Sequence, residues 1–101
     1  MKVKWSTYEF EVYYPGSVKW NNVAGIYIFT GLNEKGLWRP FYIGQAKNFQ
    51  NRIPGHEGWP SAALLGATHV HALVVPQAAN RDSIEAELIA AYQPVLNVQL
   101  K

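Results

Sequence analysis

The side chains of this sequence best placed to act together are two tyrosines, an arginine, a glutamate, a histidine and an asparagine. The stretch Tyr42-Ile43-Gly44-Gln45-Ala46-Lys47-Asn48-Phe49-Gln50-Asn51-Arg52-Ile53 carries one of the tyrosines and the arginine. An apolar strand end, Phe41 to Ile43, runs into Gly44, and Asn48 is a good N-cap for a helix that starts at Phe49. Arg52 lies three residues beyond Phe49, on a neighbouring part of the same helix face. A strand broken at glycine therefore delivers a phenol and a guanidinium to one place. A second phenol, Tyr27, sits in the strand-like run Gly25-Ile26-Tyr27-Ile28-Phe29. A tyrosine is a poor base at its reference pKa of about 10. It becomes usable where Arg52, Lys47 or a metal stabilises the phenolate.

In the last helix, Ile84, Leu88, Ile89 and Tyr92 form one apolar arc, and Glu85 falls inside it while Glu87 falls on the opposite side. A carboxylate on the core-facing side is costly unless it is paired or holds a metal. Each residue also has an ordinary explanation. Tyr27 and Tyr42 suit cross-strand packing, and Arg52 alone reads as a solvated helix residue. Glu85 has the spacing of a capping box with Asp82. His56 alone reads as a loop histidine, and Asn97 as a turn or C-terminal cap. His69 and His71 point to one side of a strand and could take a transition metal, but no third ligand is evident. Trp5, Trp20, Trp38 and Trp59 suit a core or a covered edge. Trp38 and Trp59 flank the proposed site and can stack on bases. Lys35, Arg39 and Lys47 are phosphate-contact candidates, set against a solvated surface.

The elements that must hold these groups follow from periodicity. Tyr8, Phe10, Val12 and Tyr14 alternate with Thr7, Glu9, Glu11 and Tyr13, which predicts a half-buried strand ending at Pro15-Gly16. Ala24 to Thr30 is a strand with Ile26 and Ile28 on one side and Tyr27 and Phe29 on the other. A hairpin folding at Glu34-Lys35 returns as Leu37 to Ile43 and places Tyr27 opposite Tyr42. Pro40 makes that strand a sheet edge. A short helix spans Asn48 to Ile53, and Pro60 opens another that stops at Gly66. Thr68 to Val75 is a further strand. The last helix is capped by Asn80 or Asp82 and stopped by Pro94, and Val95 to Leu100 closes the chain as an extended segment. The order of elements indicates α+β, a small antiparallel sheet with helices against it.

With 101 residues the chain holds one small domain and one core. It is 49 % hydrophobic and 16 % charged, which excludes a disordered chain. Without cysteine there is neither a disulfide framework nor a thiolate zinc site. No run approaches the roughly 20 apolar residues that cross a bilayer, and Met1 to Trp5 carries no signal-peptide core, so a soluble cytoplasmic protein with no membrane contact is expected. A net charge of +2 is compatible with a phosphate-rich partner but far below a dense basic footprint.

From Ala24 to Asn97 the sequence resembles the GIY-YIG nuclease family. The resemblance rests on six anchors in order: Gly25-Ile26-Tyr27, Tyr42-Ile43-Gly44, Asn48-Phe49 with Arg52-Ile53, His56, Glu85 with Leu88-Ile89, and Pro94 to Asn97. Tyr42 to Ile53 is most similar to the N-terminal nuclease domain of bacterial excision-repair incision enzymes, in which a lysine often stands where this chain has Gln45. The resemblance implies a three-stranded antiparallel sheet flanked by helices over residues 24–101, with residues 1–23 an extension carrying one extra strand. It implies metal-dependent hydrolysis of DNA phosphodiesters, with RNA left open.

Carried over by position, Glu85 would hold one Mg²⁺ or Mn²⁺ and Arg52 would stabilise the scissile phosphate. Tyr27 and Tyr42 would hold and deprotonate the attacking water, His56 would assist proton transfer, and Asn97 would orient the site. One carboxylate completed by water and phosphate oxygens suits Mg²⁺. A nucleic-acid-binding module of the same fold, cutting weakly or not at all beside a partner protein, is the alternative. A homodimer or a partner DNA-binding protein would supply basic surface, and a purely protein-binding domain using the N-terminal strand as an edge is a third reading. Repair and restriction are not distinguished.

Overall fold

The computed structural model describes residues 1–99, with Gln99 described by its backbone only. Strands β1 (Lys2–Trp5) and β2 (Tyr8–Tyr13) form a hairpin in which Trp5 faces Tyr8 and Ser6 takes a positive φ of 56°. β3 (Gly25–Leu32) and β4 (Trp38–Ala46) form a second hairpin. β5 (His69–Val74) lies between them, so the sheet runs β1-β2-β5-β3-β4 and every pairing is antiparallel. The fold is α+β as expected, with three strands from residues 24–101, but the sheet has five strands in all where three and one extra were expected. The N-terminal region supplies two strands where the alternation predicts one.

β3 is inside the sheet and covered on both faces, so Gly25 to Gly31 are all buried. Alternation along it feeds two cores. Ile26 and Ile28 join Trp5, Phe10, Ile43 and Leu88 on one face. Tyr27 and Phe29 join Phe49, Ile53, Ala62 and Leu96 on the other. Ile26, Ile28 and Ile43 are each 0 % exposed, and each contributes on the order of 2 kcal/mol by leaving water. Helix α3 (Ala78–Tyr92) covers the first face with Leu88. Helices α1 (Phe49–Arg52), α2 (Trp59–Leu65) and α4 (Val95–Gln99) cover the second with Phe49, Ala62 and Leu96. None of the described helices is long and apolar enough to cross a membrane.

The register of β3 and β4 differs from the expected one. The turn from Asn33 to Leu37 needs Gly36 at a φ of 76°, and Asn33 Oδ1 accepts from the Lys35 and Leu37 N–H groups. Its centre is Lys35, so Leu32 pairs with Trp38. A bulge then leaves Phe41 without a partner between Thr30↔Pro40 and Phe29↔Tyr42. Pro40 has no N–H to give the ladder, and the irregularity falls beside it. The outcome is that Tyr27 faces Gly44, not Tyr42.

Two local expectations change as well, and a third holds with an addition. α3 begins at Ala78 after Gln77, not at Asn80 or Asp82, because Arg81 is drawn inward by its bonds to the Val75 and Pro76 carbonyls. Glu87 is exposed yet not free: it accepts from Tyr8 Oη at 2.7 Å and Ser6 Oγ at 3.1 Å, tying the first hairpin to α3. Val95 to Gln99 is a short helix, not an extended segment, and Leu100 lies outside the described residues.

Candidate active site

Tyr27 is 1 % exposed at the centre of the sheet. Its ring crosses the face of β4 at Gly44, where a β-carbon would stand 2.5 Å from the phenolic oxygen. Gly44 is therefore the only residue type that leaves Tyr27 its place. The hydroxyl lies 2.9 Å from His56 Nε2. His56 is buried because Pro54-Gly55 turns the chain back under the sheet, with Gly55 at a φ of 69° and the His56 N–H donating to Ile53 O. The other ring nitrogen, Nδ1, accepts the Gly58 N–H at 2.8 Å.

That bond settles the tautomer: a neutral His56 carries its proton on Nε2 and donates it to Tyr27 Oη. Burial, with Arg52 nearby, holds the His56 pKa below its ordinary value, so the neutral form prevails near pH 7. Glu57 Oε2 stands 3.8 Å from Nδ1, but a nitrogen that is accepting a hydrogen bond makes no ion pair.

Tyr42 is half-buried on the same face, its ring 6.2 Å from that of Tyr27 and 5.4 Å from that of His56. Burial pushes both phenols above their usual pKa, and the Arg52 charge pulls both down. Arg52 reaches this place from the end of α1, whose N-terminus is capped by Asn48 Oδ1 accepting from Gln50 N–H. Its guanidinium donates two bonds to Glu57, 2.7 Å to Oε2 and 2.8 Å to Oε1.

Glu85 stands half-buried on α3, and its charge acts on both Tyr27 and Tyr42. Gln45 Nε2 donates to Glu85 Oε1 at 2.9 Å and to Asp82 Oδ1 at 2.8 Å. Glu85 Oε2 accepts no hydrogen bond among the described residues. The apolar arc thus brings Glu85 to the β4 side of α3, where an amide orients it and one oxygen remains open. Among the described residues no three His, Cys, Asp or Glu side chains cluster as a complete metal cage. One oriented carboxylate, with water and phosphate to fill the remaining positions, fits a hard divalent cation.

Asn97 does not reach the phenols. It is 9 % exposed, its Oδ1 accepts the Ile43 N–H at 2.8 Å, and its Nδ2 donates to Ile43 O at 2.7 Å. The amide occupies the outer edge of β4 as a further strand would, and so holds the strand that carries Tyr42, Gly44 and Gln45.

The proposed contact residues divide. Lys47 is exposed at the end of β4, Lys35 is exposed at the hairpin tip, and Arg39 is exposed with its guanidinium 5.4 Å over the Phe41 ring. Trp59 packs edge-on against Phe29 at 5.0 Å and, with Trp20, His56 and Glu57, lines an apolar groove of about 570 Å³. Trp38 lies on the opposite face, against the rings of His69 and His71 at 5.1 and 4.6 Å, and does not flank the site. His71 is no metal ligand: its Nδ1 accepts from Trp5 Nε1–H at 2.9 Å, and the buried Nε2 keeps the proton. Gln45, Asp82, Glu57 and Gly58 join the site without having been singled out for it. Asp82, one turn before Glu85, was the only one with a spacing signal.

No family model matches the chain, and no curated protein matches it. Among solved structures it is similar to the GIY-YIG N-terminal endonuclease domain of UvrC from Thermotoga maritima bound to its catalytic divalent cation, magnesium. Identity is 31 %, the match covers 74 % of this chain and 83 % of that one, and the TM-score is 0.59. The chain belongs to the GIY-YIG nuclease family. Two point mutants of the same UvrC domain, each bound to its catalytic divalent cation, match equally: 31 % identity over 74 % of this chain and 82 % of theirs, with TM-scores of 0.58.

Proposed function

We propose that this chain is a divalent-metal-dependent endonuclease that hydrolyses phosphodiester bonds in DNA, with residues 24–101 as the nuclease domain and residues 1–23 as its extension. The observation that carries the reading is the meeting of five groups from separate parts of the chain. Tyr27 and His56 share a buried hydrogen bond, Tyr42 lies beside them, and the Arg52 and Glu85 charges act on both phenols.

The chemistry these residues would perform is phosphoryl transfer to water. The Arg52 fork binds two non-bridging phosphate oxygens and stabilises the charge that grows on them. A water beside the tyrosines would lose its proton, as its oxygen attacks phosphorus, to a phenolate that burial disfavours and that the Arg52 charge and a bound cation would have to favour. The opposite P–O bond breaks, and the departing alkoxide takes a proton from solvent water. The His56 Nε2–H, aimed at Tyr27 Oη, stabilises the phenolate form of Tyr27. Glu85, oriented by Gln45, would hold the cation, Mg²⁺ or Mn²⁺, which when bound supplies Lewis-acid stabilisation at the phosphate. The relative's catalytic magnesium supports this assignment.

The test is incubation with labelled duplex, branched and single-stranded DNA and with RNA, in Mg²⁺, Mn²⁺ or chelator, beside Glu85→Ala. Cutting that needs metal and vanishes in the variant sustains the proposal. A second reading, a binding module that cuts weakly or not at all beside a partner, draws on Glu57 already occupying Arg52. Binding without cutting, equal in both proteins, would decide for it.

A further inference from the structure

We infer that Glu57 is an internal competitor for the phosphate site, and that its displacement from Arg52 sets how tightly this chain takes substrate. This rests on the proposed nuclease reading and adds a specificity-determining residue to it. The bond between the two is fork to fork, each guanidinium nitrogen on its own carboxylate oxygen at 2.7 and 2.8 Å. Two carboxylate oxygens at that spacing stand in for two non-bridging oxygens of a phosphodiester. Arg52, whose charge acts on both tyrosines, is therefore already holding an anion.

The partner free to leave is Glu57. Its side chain is 75 % exposed against 38 % for Arg52, and an exposed ion pair is held only weakly. Its backbone stays in place, because its neighbours are bound together: His56 is buried and accepts the Gly58 N–H. Displacement is thus a rotation of one side chain into water. The trigger is a competing anion rather than a proton, since Arg52 holds the Glu57 carboxyl down at about 2.

The competition also couples phosphate to metal. With Glu57 in place the Arg52 charge is cancelled, and the Glu85 and Asp82 carboxylates across β4 leave the site unfavourable to a lone phosphate. A divalent cation held at Glu85 would remove the second obstacle and leave Glu57 as the one the phosphate must displace.

Glu57→Gln tests this, with folding checked by circular dichroism. Fluorescence anisotropy of a fluorescein-labelled DNA duplex in Ca²⁺ should show about 2- to 5-fold tighter binding, the range for removing one exposed ion-pair partner. KM in Mg²⁺ should fall by the same factor with kcat retained, and in an Arg52→Gln background the gain should vanish. A fall in kcat with KM unchanged or raised would instead make Glu57 a support for Arg52 and overturn the inference. Inorganic phosphate titrated against the Arg52 side-chain N–H resonance reads the same competition without nucleic acid. A response at several-fold lower phosphate in Glu57→Gln is expected, and equal responses would refute it. If wild type neither binds nor cuts any nucleic acid, the nuclease reading falls, whereas wild-type binding with no gain in Glu57→Gln removes only the role of Glu57.

Discussion

Tyr27 and Gly44 face each other across β3 and β4, and the phenolic oxygen of the one occupies the space where a β-carbon of the other would be. Two motif positions that look independent in the chain are one packing unit. The unit also sets the Tyr27 hydroxyl at hydrogen-bond distance from His56.

Gly44→Ala should therefore act on catalysis before it acts on folding. The three atoms nearest the added methyl all belong to the Tyr27 ring and hydroxyl, so the ring moves and the fold persists, at about 1–3 kcal/mol for overpacking. A displacement of the phenol by about 1 Å costs on the order of 100-fold in kcat. Nuclease kinetics beside thermal melts check this; full activity with a wild-type melt would refute the packing unit.

Tyr27→Phe keeps the ring and deletes the oxygen. It leaves the His56 Nε2–H without its buried acceptor, at a cost of about 1–3 kcal/mol. Cutting should fall by at least about 100-fold. In a double-mutant cycle with His56→Phe, the two losses in stability should not add, with a coupling of about 0.5–3 kcal/mol. Additive losses would mean the 2.9 Å contact carries no energy.

Asn97→Leu should weaken the protein more than any substitution at Tyr42. It strands a buried N–H and a buried C=O of Ile43 at the rim of β4, at about 1–3 kcal/mol each. For a domain of this size Tm should fall by roughly 10 °C or more. Activity should fall too, because β4 carries Tyr42 and Gln45. A loss of activity with an unchanged melt would place Asn97 at the substrate instead.

His71 predicts how stability depends on acid. Burial, aided by the His69 charge, holds its folded pKa at about 4, against about 6.5 in an unfolded chain. A depressed histidine binds more protons unfolded than folded. Its contribution is therefore fully present above pH 6.5 and is lost as pH falls from 6.5 to 4, by about 2–4 kcal/mol in all. Urea unfolding at pH 7, 5.5 and 4.5 should show this slope in wild type and a flatter one in His71→Gln, whose amide oxygen can still accept from Trp5. Parallel slopes would assign the acid sensitivity elsewhere.

Much of this was readable in the chain. Alternation put Tyr27 and Phe29 on one side and Ile26 and Ile28 on the other, because side-chain direction along a strand is a local property. Asn48 as a cap, Pro60 at the start of α2, the edge position marked by Pro40 and the end of α3 before Pro94 are also local, and all four hold. The helical period likewise brought Glu85 to the covered side of α3. What the chain could not state is register. A turn centred on Lys35 instead of between Glu34 and Lys35, and a bulge at Phe41, each shifted the register by one and moved the partner of Tyr27 from Tyr42 to Gly44, and both depend on how strands settle together. Trp38 went to the far face, against the imidazoles of β5. The bonds that tune the site, Gln45 to Glu85, Gly58 to His56 and Arg52 to Glu57, join side chains and loops whose approach only the folded backbone defines. Residue types and local periods selected the chemistry and the elements; long-range pairing decided which atoms meet.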